Sequence, residues 1–354
     1  MKKKLFTLTM IGILMVSAFG CGKKVEEVNE ITTEATTEEE TTEEDLHPGM
    51  TYNELTGEWS AEYVSKRPMA VMINNLKEAL PSSSTKKADI IYECMVEGGI
   101  TRIMPIFSNY DGLEKIGSVR SARHYYINIA NEYDAIYVCY GQSKPAEKIL
   151  NNGAIDAVNG INYEEAFYRD DNRVAPHNAY TTSELITKAI ADKGFDTGYG
   201  EGHEKALSFH EQETELADGQ DAKTVHVNFS TYSKPYFIYK EETKAYERYE
   251  YDAPQVDDQE EEGNNILTFK NVIIQQSSYE CINPENDLQE LTQVGEGKGY
   301  YCTDGKAIPI TWKKENSTSK TKYYTENGEE LLLNPGKTWI SIIGNGENAG
   351  VTFE

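Results

Sequence analysis

From Arg67 onward the apolar residues of this chain come in short runs, each closed by a glycine, an acid or a polar turn residue. Ala70–Ile73, Asp89–Val96, Ile100–Phe107 and Asp134–Tyr140 have the length and the branched or aromatic content of buried strands. Helical spacing appears between and after them. Ala122, Tyr126, Ile129, Ala130 and Tyr133 fall on one helix face. Thr181 and Glu184 form a capping box for a helix through Ala191, with Leu185, Ile186, Ala189 and Ile190 as its apolar stripe and Gly194 as its stop. Strand–helix alternation predicts an α/β domain over residues 61–198. Beyond about Gly198 the pattern changes. Tyr236–Tyr251, Ile266–Ser277, Gly299–Trp312, Lys322–Leu333 and Thr338–Ile343 read as strands, with tight turns at Asp304-Gly305 and Asn327-Gly328. A mostly β domain is therefore expected over 199–354, making the chain α+β overall.

The first sixty residues contribute to neither domain on this reading. Lys2, Lys3 and Lys4 precede an apolar run from Leu5 to Val16, and small residues lead up to Cys21. A basic start, an apolar stretch and small residues before a cut site make an export signal, here residues 1–20. The run is too short to cross a bilayer as a helix. Cys21, preceded by Ala18 and Gly20, resembles a lipobox cysteine, which is acylated (palmitate is one such chain) and becomes the new N-terminus. Stable anchoring takes more than one acyl chain. Residues 22–48 hold ten acids and two lysines. Such a segment buries too little surface to offset its ordering entropy, so 21–60 is expected to be a disordered acidic leash. The expected location is extracytoplasmic, with the membrane contacted through lipid.

The formal charge of −25 argues against nucleic acid as a partner, which needs a basic footprint. It also argues against docking on anionic lipid by surface charge. Cys94 and Cys139 sit inside strand-like runs and read as buried free thiols, while pairing of Cys281 and Cys302 is open. No cysteine–histidine spacing suggests a metal site, and no motif implies a cofactor.

Against this acidic background the arginines are informative. Five of the seven lie between Arg102 and Arg173, and arginine suits bidentate recognition of carboxylate and phosphate. Three polar groups stand out. Arg120-Ser121-Ala122-Arg123-His124 opens a helix that Ser121 is expected to cap. Positive charge is unfavourable at a helix start, and a bound anion would resolve the conflict; pairing with Glu132 or Asp134 would resolve it too. Gly141-Gln142-Ser143-Lys144-Pro145 follows a strand, with Ser143 at a second helix start. Arg169-Asp170-Asp171-Asn172-Arg173 leads into Pro176-His177-Asn178, where an aspartate is expected to hold an arginine. Ligands of open α/β sheets bind outside the carboxyl ends of strands. Convergence there of Arg120, Ser121, Arg123, His124, Ser143, Arg173, His177 and Asn178 would make an anion site.

Glu97–Arg102, Val119–Arg123 and Ala175–Tyr180 resemble the YerB-like lipoproteins of Gram-positive bacteria, as does the later stretch through Asn327-Gly328 and Leu331–Ile340. The resemblance covers nearly all of the chain after the leash. It implies a two-part surface lipoprotein and no particular reaction. The favoured function is a module binding an anionic cell-envelope component. The alternatives are an enzyme on wall polymers (a phosphotransferase or hydrolase) and a scaffold for a protein partner. No nucleophile–base pair or metal-ligand set stands out for catalysis.

Overall fold

The computed structural model describes residues 46–354; the export signal, Cys21 and most of the leash lie outside them. Nine strands form the body of the central sheet: β1 (Met69–Val71), β2 (Ile90–Met95), β3 (Thr101–Phe107), β4 (Ile136–Cys139), β5 (Ala157–Asn159), β6 (Asn271–Gln276), β7 (Gly295–Thr303), β8 (Lys306–Lys314) and β9 (Thr338–Ile343). They run in the order β8-β7-β6-β9-β2-β3-β1-β4-β5 within a sheet of 12 strands. β9 lies parallel to both β6 and β2, so a strand from the end of the chain joins the early strands to the late ones. The two sequence parts, 61–198 and 199–354, thus share one sheet, and His47–Glu354 forms one compact unit.

Period-2 alternation gives this sheet two apolar faces. On one face Tyr92, Cys94 and Ile340 pack with Tyr126 and Ala130 of helix α1 (His124–Asn131). On the other, Val71, Ile91 and Trp339 meet Val225, Phe237 and Tyr246 of a second, six-stranded sheet. That sheet is built mainly from Thr224–Asn228, Tyr236–Lys240, Ala245–Glu250 and Gly350–Phe353. Two further helices, α2 (Lys144–Asn151) and α3 (Ser183–Lys193), complete the described set.

The α+β expectation is overturned: the protein is mostly β. Its three described α-helices have 8, 8 and 11 residues. The helical spacing was real but short, and helices do not connect all the early strands. β2 and β3 are antiparallel neighbours joined by the Glu97–Gly99 turn, not by a crossover helix. Gly98 and Gly99 both have positive φ (70° and 68°), which lets the chain reverse without a crossover. β1, β4 and β5 form a parallel trio with α1 and α2 between successive strands of the chain, whereas the parallel trio β6, β9 and β2 is assembled from distant parts of the chain.

Smaller differences follow from local geometry. Arg123, not Ser121, is the N-cap residue of α1, and no side chain caps that end. Thr181 ends a strand, and its neighbour Thr182 caps α3 by accepting from Leu185 N at 3.1 Å. Part of the expected leash belongs to the fold: Thr51–Asn53 pairs with Glu58–Ser60, and Leu55 between them is buried. Asn53 holds this hairpin down through Asp89 and Ser108. Cys94, Cys139 and Cys302 are buried free thiols, and Cys281 is exposed and free.

Candidate functional site

The carboxyl ends of β1, β4 and β5 lie side by side, because these strands run parallel. The segment after each end carries polar side chains. Ile73-Asn74 follows β1, Tyr140-Gly141-Gln142 follows β4, and Gly160-Ile161-Asn162 follows β5. The Arg120–Arg123 segment is laced onto this edge by main-chain bonds. Arg120 N donates to Met72 O at 2.8 Å, Tyr140 N to Arg120 O at 3.0 Å, and Ala122 N to Gly141 O at 2.9 Å. The His177 loop is brought in from the far side. Val119 N donates to Ala179 O at 2.7 Å, and Arg120 Nη1 donates to Pro176 O at 2.9 Å.

Arg120 sits at the centre. Its Nε is buried and has no hydrogen-bond partner among the described residues. Burial, then the like charges of Arg123 and Arg169, depress its pKa below the usual arginine value. Arg102 lies beneath it, buried, with Nη1 donating to Ser121 O. Burial, reinforced by Arg123 and Arg120 and opposed by Glu97, pulls Arg102 down to about 9, so it remains charged at neutral pH. Arg169 lies over the Tyr140 ring at 4.4 Å and donates to Asn178 Oδ1 at 3.2 Å. Four guanidinium groups therefore share one region with a single paired carboxylate. That carboxylate, Glu97, is taken up by Arg123 in a two-pronged bond of 2.6 and 2.5 Å. Burial opposes the charge on Glu97, but Arg123 holds its pKa below the usual carboxylate value.

His177 has a defined proton. Asn74 Oδ1 accepts from Leu76 N at 3.1 Å, which turns Asn74 Nδ2 toward His177 Nδ1 at 2.7 Å. The amide nitrogen can only donate, so Nδ1 accepts and the hydrogen is on Nε2. Burial and the charge of Arg120, against a smaller effect of Glu78, lower the His177 pKa and keep the ring neutral at pH 7.

The predicted site residues divide. Arg120, Ser121, His177 and Asn178 come together, joined by Arg102, Arg169, Asn74 and Tyr140. Ser121 helps shape the edge by donating to Tyr140 O at 3.2 Å. Arg123 is adjacent but engaged by Glu97. His124 turns away, with Nε2 2.8 Å from Glu290 Oε1 but off the hydrogen-bond direction. Ser143 caps α2, accepting from Ala146 N at 3.4 Å. Arg173 braces the loop against Leu80 O and Pro81 O and lies 3.6 Å from Asp258. Asp170 holds Lys115 rather than an arginine. Glu132 and Asp134, the acids expected as alternative partners, pair instead with Lys314 and His203. The arginine clustering already contained Arg102 and Arg169. Nothing in the sequence marked Asn74, which simply follows an apolar run.

Among the described residues no three His, Cys, Asp or Glu side chains gather as a metal site. A cavity of about 750 Å³ lies apart from the arginines, between Asp111–Glu114 and the start of α3. Its charged lining is Asp111, Glu114, Glu184 and Lys188, with no arginine.

The fold and the sequence both have known counterparts. Residues 55–196 match the N-terminal domain, and residues 225–340 the C-terminal domain, of the protein family of unknown function DUF3048. The chain belongs to that family. It is 31% identical over 300 residues to the protein named Putative lipoprotein YerB of Bacillus subtilis (strain 168), covering 84% of this chain and 88% of that one. The crystal structure of YerB from Bacillus subtilis matches with a TM-score of 0.73 at 30% identity, covering 85% of this chain and 99% of that chain. No helix of the described residues is long and apolar enough to cross a membrane.

Proposed function

We propose that this protein is a lipid-anchored extracytoplasmic module that binds an anionic envelope ligand, a phosphate or carboxylate, at Arg120. The observation that carries this reading is the buried Nε of Arg120 without a partner, set among Arg102, Arg123 and Arg169, whose one paired acid is already engaged. A buried polar group without a partner costs about 1–3 kcal/mol, and an oxyanion would remove that cost. Neutral His177 Nε2–H and the Asn74 amide supply further donors for the same oxygen atoms.

Thermal-shift and calorimetric titration with inorganic phosphate and citrate test it. At a hundredfold excess over Kd, a ligand specific for the native state stabilises by about 2.7 kcal/mol. The shift is expected in the wild type and is expected to vanish in Arg120→Ala and weaken in Arg169→Ala. Absence of any anion shift, or an equal shift in Arg120→Ala, overturns the reading.

The anchor is tested separately. The relative's printed name, the lipobox-like sequence and the acidic surface support attachment through Cys21. Cys21→Ser is expected to move the protein from the membrane fraction to the soluble fraction, and continued membrane retention would remove the anchor from the proposal.

A further inference from the structure

We propose that the cavity along edge strand β5 is a subsite for a neutral polyhydroxyl group, a sugar or polyol, carried on the anion that the arginines hold. This rests on the anion reading above and adds the chemical class of the ligand. The cavity has a volume of about 250 Å³, and Gln142, Asn151, Asn159 and Asn162 line it together with Ile155 and Phe195. That is below the roughly 300–1,000 Å³ of sites for drug-sized molecules and suits a single ring.

The two places are contiguous through one short segment. Gln142 lies two residues after Tyr140, whose ring carries Arg169. Its backbone bridges to Ala122, two residues after Arg120. Gly160 is pressed so close to Tyr140 that a Cβ there would sit 1.6 Å from the ring, so the β5 end and the arginine-bearing ring are in contact.

The lining has the hydrogen-bonding character of a hydroxyl-binding surface. A side-chain amide presents donors and an acceptor together, and a hydroxyl group needs both. Asn159 Oδ1 accepts from Gly141 N at 3.0 Å and Ile161 N at 3.1 Å, and its Nδ2 donates to Gln142 Oε1 at 2.8 Å. Those bonds orient Gln142 and leave its NH2 group unspent. Asn151 and Asn162 make no side-chain hydrogen bond among the described residues. The two charged residues of this lining, Asp156 and Lys193, are both engaged elsewhere. Asp156 is bound by Arg67 at 2.7 Å, and the Lys193 ammonium lies over the Tyr163 and Phe195 rings at 5.1 and 5.9 Å. Phe195 and Ile155 supply the apolar surface on which the C–H face of a ring can lie.

Isothermal titration with inorganic phosphate, glucose 1-phosphate, N-acetylglucosamine 1-phosphate and ribitol 5-phosphate reads this directly. At least one of the three organic phosphates is expected to bind the wild type about tenfold tighter than phosphate, the equivalent of about 1.4 kcal/mol. In the Asn151→Ala/Asn162→Ala variant, whose changes are both at exposed positions, that advantage is expected to disappear. Its affinity for phosphate itself is expected to stay within about twofold of the wild type. If phosphate binds and none of the three binds more tightly, the subsite is overturned and the anion site stands. An advantage that survives the double variant also overturns the subsite. If no compound binds, the anion reading falls and takes this inference with it.

Discussion

Arg248→Leu is expected to destabilise the protein by about 3–5 kcal/mol, read as a shift of the urea unfolding curve, because it strands two buried carboxylates. Arg248 is fully buried between the two sheets, with Nη2 2.8 Å from both Glu93 Oε2 and Glu250 Oε2. Its guanidinium lies over Trp339 at 4.4 Å and Phe237 at 5.0 Å. Glu93 also accepts from Asn75 and Thr101, and Glu250 from Ser233, so both acids are fixed in place and cannot turn to water. Removing the one cation leaves them facing each other in a low-dielectric interior. A loss below about 1 kcal/mol would show that the triad does not hold the sheets together.

The same triad predicts a pH dependence. Burial pushes Glu93 up to about 7, with Arg248 opposing and the charge of Glu250 reinforcing. A carboxyl raised above its ordinary 4.5 binds its proton more tightly folded than unfolded. Its contribution is present below about pH 4.5 and is lost as pH rises through about 7. Glu250, Asp89 and Asp257, all raised chiefly by burial, act in the same direction. The readout is therefore a difference. Stability of the wild type should fall more steeply between pH 5 and 8 than that of Glu93→Gln, and parallel curves would remove Glu93 as a titrating group.

Lys314→Met is expected to cost a comparable amount, about 3–5 kcal/mol, for the same physical reason. Lys314 and Glu132 are both buried, at 1% and 5% exposure, and pair where the end of α1 meets β8. Glu132 further accepts from Thr321 N at 2.6 Å and Thr321 Oγ1 at 3.1 Å. Among the described residues Lys314 is its side-chain ion-pair partner, while Lys320 donates to the Glu132 main-chain oxygen; the hydroxyl and amide cannot take over the ion pair. Substituting both, as Lys314→Met with Glu132→Leu, should recover much of the loss, since a matched apolar pair strands no charge. A double-mutant cycle would then give strong coupling. Additive single effects would mean that the two residues act independently.

Some of this was visible in the residues. Near-continuous apolar runs in Asp89–Val96 and Thr338–Ile343 mark strands with two buried faces, and both strands are central in the sheet. The face formed by Tyr126, Ile129 and Ala130 marks α1, and Gly194 closes α3. The clustering of five arginines from Arg102 to Arg173 marks the region of the candidate site, although Arg173 itself is spent on bracing a loop. The errors were of two kinds. Caps moved by one or two residues, from Thr181 to Thr182 and from Ser121 to Arg123, because neighbouring residues can end a strand or start a helix equally well. Fold class departs from the expectation because alternating strands and helices look alike whether the strands pair in parallel through crossovers or as hairpins. Gly98-Gly99 permitted the hairpin, and the pairing partner decided it.

Local pattern determined where strands and helices form, because apolar spacing and turn chemistry act over a few residues. It also determined the acidic balance, the export-signal pattern and which segments carry arginine. The tertiary structure alone decided that β9 inserts between β2 and β6, that Arg248 meets Glu93 across 155 positions, and that Asn74 meets His177 across 103. Those contacts depend on sheet order and on the packing of two sheets, which no local spacing encodes. They also decide which charges are matched: Glu132 and Asp134 are drawn away to distant partners, and Arg120 is left with a buried donor unspent.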